Sequence, residues 1–385
     1  MFSKGENRNS LRKGFYNLKP KVKGGLKMKR VKFIFVAVLL VSMAMVMPTN
    51  QVFAKKFVLK TQAMFPLAMP LLGKPLVWFS NQLEKASSGE IVFKLYDPGK
   101  MVPVVEILES VSKGHIQAGY AAPAFWMGKV STSPIFGSVP FGPEGPEYMA
   151  WMFQGNGLKL WQEAYDKAGY NVKVFPVILC PPETSGWFAK EIKTVKDFKG
   201  LKMRFYGLGG SVIQKLGASA TMLPPAEIFP ALEKGVIDAA EFSSPYVDVS
   251  QGFYKVVKYN YFPGWHQQTS IHELTINKDV WNKMTPAQQA QIELAVRASL
   301  LQTQAIGEGS QGPVIRENVE KHGVKNMYWS PELLSAFKTA WEQVLEEQCA
   351  KDPFFKKVWD DLSAFREDYK VYSRIGFMPR ETGLK

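Results

Sequence analysis

FVLKTQ (57–62), IVFKL (91–95) and IQAGY (116–120) are three short runs of mainly apolar residues. Between the first two, Pro70–Ser87 sets Leu71, Leu72, Leu76, Trp78, Phe79 and Leu83 at helical spacing. Between the second and third, Val105–Lys113 forms a short helical stretch stopped at Gly114. Strand, helix, strand, helix, strand in that order predicts a parallel sheet covered by helices. The same grammar restarts downstream. VKVFPVI (172–178) is a strand, and so is LKMRFY (201–206), with Leu201, Met203 and Phe205 on one face and Lys202, Arg204 and Tyr206 on the other. Helices follow at 211–216 and 226–234, the second closed by Gly235. Residues 238–241 lead into a strand end, and 273–277 form another strand. Thr285 as N-cap and Pro286 at the first helical position open a long helix through Gln304. From Pro331 the chain is mostly helical, with Phe354, Phe355, Val358, Trp359, Leu362, Phe365 and Tyr369 in one late amphipathic stretch.

These elements predict an α/β chain of two units joined by crossing strands, with a ligand-sized cleft between them. The expected division is 57–178 plus about 242–272 as the first unit, about 179–241 plus 273–330 as the second, and 331–385 as helices packed on both.

The composition, 46% hydrophobic and 21% charged over 385 residues, excludes a disordered or fibrous chain. The net charge of +14 suggests nucleic acid until it is located. Residues 1–54 carry 11 Lys and Arg against the single acidic Glu6, a net of +10, which leaves +4 for 55–385. A nucleic-acid or membrane-surface binder is therefore disfavoured. The basic 1–54 segment has the three parts of a secretory signal: Lys29-Arg30-Val31-Lys32, a 15-residue apolar run from Phe33 to Met47, and Val52-Phe53-Ala54 before a cut at Lys55. The run is short for a membrane span, which needs about 20 residues. Met28 is an alternative start. Only Cys180 and Cys349 are present, so a disulfide-built scaffold and a cysteine zinc site are excluded; one bridge or two free thiols stay open.

Catalytic signatures are missing. His272-Glu273 lacks the second His of the HExxH zinc pattern, Ser110-Val-Ser-Lys113 has no KTG partner, and Gly207-Leu-Gly209 lacks the third Gly of a dinucleotide loop. An exported chain without that machinery favours binding over chemistry. Arg204 ends a strand just before a Gly-rich turn and a helix, where α/β sheets collect ligands and helix N-termini favour anions. Its planar guanidinium suits a carboxylate. Glu241 ends a strand after Ala239-Ala240 and needs a cationic partner if buried. Glu183 follows Cys180-Pro-Pro where a strand leaves one unit. Tyr120, Phe125, Trp126, Trp187 and Trp265 are core aromatics by default, some of which line the cleft.

Several blocks resemble one family. PGKMVPVVEILESVSKG (98–114), AAPAFWMGK (121–129), GWF (186–188), FKGLKMR (198–204), EFSSPY (241–246), GFYKVVKY (252–259) and PGW (263–265) are similar to the solute-binding proteins of tripartite ATP-independent periplasmic (TRAP) transporters, in particular those binding 2-oxo acids such as pyruvate with a metal ion. The resemblance implies a periplasmic-binding-protein-like fold of two hinged α/β domains, no enzyme activity, membrane permease partners, and a C-terminal helix able to pair two copies. It implies that Arg204 meets the substrate carboxylate; Glu183 and Phe242, with Tyr120 and Phe125 of the aromatic cluster, are the other residues expected at the substrate. It implies a metal held by Glu183, Glu241, the Phe242 carbonyl and Gln267. Here amide and carboxylate are exchanged relative to that family, Glu183 standing where it has an amide and Gln267 where it has Glu. The charge count, −3 from Glu183, Glu241 and substrate against +1 from Arg204, favours Ca²⁺ over Na⁺. The rival reading is an exported metal-dependent hydrolase or lyase using Glu183 and Glu241.

Overall fold

The computed structural model describes residues 55–378. The expected signal segment and its cut after Ala54 lie outside them. Strand β1 (Phe57–Ala63) pairs in parallel with both β2 (Ile91–Tyr96) and β3 (Ala118–Ala121). The crossovers are the helix Lys74–Ala86 and the turn-plus-helix Val104–Glu106 and Ile107–Ser112. Leu76, Phe79 and Leu83 on the first and Ile107, Leu108 and Val111 on the second are buried against the sheet, as their spacing requires. The first helix starts at Lys74 rather than Pro70, because residues before it turn back on themselves (Gly73 N–H donates to Met69 O).

β4 (Val172–Cys180) then leads the chain out of this sheet. β5 (Gly186–Phe188), β6 (Lys202–Arg204), β7 (Ser219–Thr221), β8 (Ala239–Ala240) and β9 (Tyr259–Phe262) build a second sheet. β10 (Ser270–Asn277) returns to the first, lying antiparallel between β3 and β4, and β11 (Lys325–Tyr328) pairs with β9 at the edge of the second. Among the described residues the orders are β2-β1-β3-β10-β4 and β11-β9-β5-β8-β6-β7.

The expected unit boundaries are corrected at this point. Residues 259–262, assigned to the first unit, belong to the second sheet, and 273–277, assigned to the second unit, belong to the first sheet. The reason is physical. Tyr261 stacks on Trp329 at 4.1 Å and hydrogen-bonds the Ile192 backbone, so β9 is tied into the second core. β10 is a central strand, buried along its whole length, so it shows no alternation that would place it from sequence.

The chain thus crosses between sheets through 181–185 and again through 263–269. These segments are stapled together: Glu183 N–H donates to Gln267 O, Ser185 Oγ to Pro263 O and Thr269 Oγ1 to Cys180 O. A Cβ on Gly264 would lie 2.2 Å from Glu183 O, so only glycine permits this approach.

The long helix runs Pro286–His322, well beyond Gln304, with the expected cap: Thr285 Oγ1 accepts from Gln288 N–H and Gln288 Oε1 accepts from Thr285 N–H. It packs on β4, on Lys74–Ala86 and on Pro245–Gln251, elements of both sheets' layers. Helix Pro331–Lys351 packs on Gly207–Lys215, with Phe337 stacked on Trp265 at 4.6 Å. Helix Pro353–Gly376 packs on Gly145–Phe153, where Trp151 Nε1 donates to Asp361 and Arg366 Nε to Glu147. Cys180 and Cys349 are both free thiols. Among the described residues no helix is long and apolar enough to cross a membrane.

Candidate functional site

β6 and β8 are parallel neighbours, with Arg204 beside Ala240 in register. Arg204 and Glu241 therefore leave the carboxyl ends of adjacent strands side by side, where α/β sheets gather ligands. Both are buried. Arg204 Nη1 donates to Glu241 Oε2 at 2.8 Å and also to the Glu241 carbonyl, and Tyr206 N–H donates to the same Oε2. This supplies the cationic partner that a buried Glu241 needs. The face of 201–206 that carries Arg204 and Tyr206 is buried at both because it meets the segment after β3: Tyr206 Oη accepts the Ala124 N–H, and its ring lies 5.1 Å from that of Phe125.

Glu183 reaches the same place from the first crossing segment and Gln267 from the second. Glu183 Oε1 accepts from Ser270 Oγ, and Gln267 Nε2 donates to Ser138 Oγ. A small cavity of about 20 Å³ between the sheets is lined by Phe65, Phe125, Glu183, Arg204, Tyr206, Phe242, Ser243, Gln267 and His272, among others. The Arg204 guanidinium carbon sits 5.6 Å from the Phe242 ring centre, so this side chain forms a wall over the cation.

Arg204, Glu183, Glu241, Phe242, Gln267 and Phe125 are thus brought together. Tyr120 is not at the cavity wall; its hydroxyl pairs with His272 Nδ1 at 2.9 Å, and His272 is the residue that faces the cavity. Sequence reasoning missed His266. Its Nε2 lies 3.7 Å from Glu183 Oε2 and 3.4 Å from Glu241 Oε1. Nothing in the run Trp265-His266-Gln267 marks it, because the carboxylates it faces lie 83 and 25 positions away.

The electrostatics follow from burial and these neighbours. Burial pushes the Glu183 carboxyl up to about 8, against the pull of His266. For Glu241 burial works the same way, but the Arg204 charge and His266 outweigh it and hold the carboxyl below its usual value. For His266 burial favours the neutral ring, yet the two carboxylates raise it to about 9. Glu183 Oε2, Glu241 Oε1, Arg204 Nε and both His266 ring nitrogens have no hydrogen-bond partner. Buried polar atoms are paired as a rule, so the orphans gathered where Glu183, Glu241 and His266 meet mark a place for a ligand or ion.

With this geometry in view, comparison with known proteins places the chain in a family. The family model for bacterial extracellular solute-binding proteins, family 7 (DctP), matches residues 70–352, and the chain belongs to this family, the solute-binding subunits of TRAP transporters. The family is extracytoplasmic and serves transport, so the chain is a binding protein and not an enzyme, and the hydrolase reading is set aside. The chain is 32% identical over 302 residues, 78% of its length and 82% of the relative's, to the monocarboxylate 2-oxoacid-binding periplasmic protein of Nostoc sp.. A TRAP solute-binding protein from Colwellia psychrerythraea, solved with calcium and pyruvate, superposes with a TM-score of 0.80 at 28% identity, covering 83% of this chain and 97% of that one. One from Pseudoalteromonas atlantica, solved with sodium and pyruvate, gives 0.79 at 28% identity and the same coverage.

Proposed function

We propose that the mature chain captures a small monocarboxylate, a 2-oxo acid such as pyruvate or a 2-hydroxy acid such as lactate, together with a metal ion, and delivers it to the TRAP membrane permease. The observation that carries this reading is that Arg204 and Glu183 line one small cavity between the sheets, with Glu241 held directly against Arg204 and one oxygen of each carboxylate left without a hydrogen bond. Arg204 receives the substrate carboxylate. Glu183 and Glu241, with the Gln267 amide oxygen and the Phe242 carbonyl, would hold the ion, whose positive charge offsets the acidic groups and the substrate. The orphaned Glu183 and Glu241 oxygens fit such a group. Phe65, Phe125 and Phe242 leave room for only a short apolar substituent on the acid. Relatives that bind pyruvate with calcium or sodium support the class of ligand and of ion.

The reading includes secretion to the periplasm, with the signal removed near Ala54. It also includes pairing of two copies along the C-terminal helix, where Val371, Tyr372 and Ile375 are exposed.

A thermal-shift screen of the protein from Lys55 on, against pyruvate, longer 2-oxo acids, lactate and uncharged analogues, tests the proposal. Stabilisation by the short 2-oxo or 2-hydroxy acids, and not by their amides, is expected. No stabilisation by any carboxylate would overturn it.

A further inference from the structure

We propose that His266 is a third side-chain ligand of the ion between Glu183 and Glu241, bound through Nε2. This makes the site a mixed nitrogen–oxygen site that binds a borderline divalent ion such as cobalt or zinc better, relative to calcium, than an all-oxygen set would. The inference rests on the preceding reading that an ion sits at Glu183 and Glu241.

Each carboxylate here is half tied down. Glu183 Oε1 takes the Ser270 hydroxyl, and Glu241 Oε2 takes Arg204 and the Tyr206 N–H. The other oxygen of each is orphaned, and both orphans face the same imidazole nitrogen. All three side chains are at least nine-tenths buried, and their ligating atoms lie within 4.8 Å of one another. The ring is held in place by Phe205 edge-on at 4.9 Å and Trp265 at 5.7 Å, and a Cβ on Gly209 would come within 3.0 Å of the His266 Cβ.

The spacing separates two uses of this imidazole. A protonated ring donating to carboxylates draws the oxygen to about 2.7–2.9 Å. The separations of 3.4 and 3.7 Å are wider than that, and neither makes a hydrogen bond. Two ligands at adjacent positions of one ion, each bound at about 2.1–2.5 Å, lie roughly 3.0–3.5 Å apart. The donor chemistry then shifts the relative affinity among ions. Calcium and sodium take oxygen, whereas imidazole nitrogen suits zinc, cobalt, copper and iron. A 2-oxo acid would add two oxygens of its own. His266 Nδ1 has no protein partner to fix its tautomer, so the ion is held less tightly than in a site with that support, where such a partner is worth about 10- to 100-fold.

The experiment uses the protein from Lys55 on, stripped with chelator, and its His266→Phe and His266→Gln variants. Co²⁺ and Ca²⁺ affinities are measured by competition, and pyruvate binding by calorimetry with each ion. X-ray absorption of the cobalt-loaded wild type reports nitrogen ligation without any variant. Expected are imidazole scattering in the wild type and a Co²⁺-over-Ca²⁺ preference that falls about tenfold or more in both variants, with calcium-supported pyruvate binding retained. An all-oxygen shell, or an unchanged preference while pyruvate still binds with calcium, overturns this inference and leaves the proposed function standing. Pyruvate binding with no ion bound overturns the inference and the ion in the proposed function. Failure to bind either ion or pyruvate overturns both.

Discussion

Two buried acidic clusters in this molecule use similar residues to opposite ends. In the first sheet Glu273, 1% exposed, accepts from Trp126 Nε1 at 2.6 Å on one oxygen and from Tyr165 Oη at 2.5 Å on the other. Both oxygens are served and nothing is left over. Between the sheets, Glu183 and Glu241 are just as buried, yet each has one oxygen without a hydrogen bond, and Arg204 Nε and the His266 ring nitrogens make none beside them. Burial alone therefore does not distinguish these two carboxylate clusters; the tally of satisfied atoms does. A closed network locks packing in place. An open one keeps donors and acceptors for something that arrives.

Replacing members of each cluster should pull these behaviours apart. The largest effect is expected from Arg204→Ala. It removes the carboxylate anchor and strands Glu241 as a buried charge, which costs about 3–5 kcal/mol of stability. Calorimetry should find pyruvate binding lost, and Arg204→Lys should recover stability more than affinity. Unchanged affinity in Arg204→Ala would remove its role.

Next is Glu183→Gln, expected to lower ion affinity about tenfold by removing one ligand charge. Gln267→Glu in the same chain should restore much of it, because the two positions exchange amide for carboxylate. A double variant weaker than Glu183→Gln alone would show that they do not serve one ion.

The smallest effect on ligand belongs to Glu273→Gln, which should leave pyruvate affinity unchanged while costing about 1–3 kcal/mol at low pH, because the amide cannot accept on both sides. Burial raises the Glu273 carboxyl to about 7 from 4.5 in the unfolded chain. The folded state thus holds its proton more tightly. The corresponding stability is present below pH 4.5 and is lost as pH rises through about 7, roughly 3 kcal/mol in all. The gap in stability between wild type and Glu273→Gln should therefore narrow from pH 4.5 to 7, read from chemical denaturation at each pH. A constant gap contradicts a buried, proton-retaining Glu273.

The same contrast explains what could be read from the chain alone. The opening strands and helices are legible because 57–120 alternates apolar runs with helical spacing, and Arg204 because a strand end and a Gly-rich turn adjoin it. The cap at Thr285 is legible for a local reason too, two side chains three residues apart. β5, β7 and β8 are two or three residues long and carry no periodicity, so only pairing with neighbours defines them. β9 and β10 lie in the opposite sheets from those expected, because β9 is only four residues long and β10, buried throughout, shows no alternation that names its partner. Glu183 and Gln267 needed the family resemblance. His266 needed the fold, since its chemistry exists only where two crossing segments and a strand end converge.

The central claim is that one carboxylate ligand is held jointly by Arg204 and an ion at Glu183 and Glu241. Calorimetric titration of pyruvate into the chelator-stripped protein, before and after restoring a divalent ion, tests it directly. The account predicts saturable one-to-one binding with the ion present and an affinity lowered about tenfold or more without it. Equal affinity in the stripped and restored protein would contradict it.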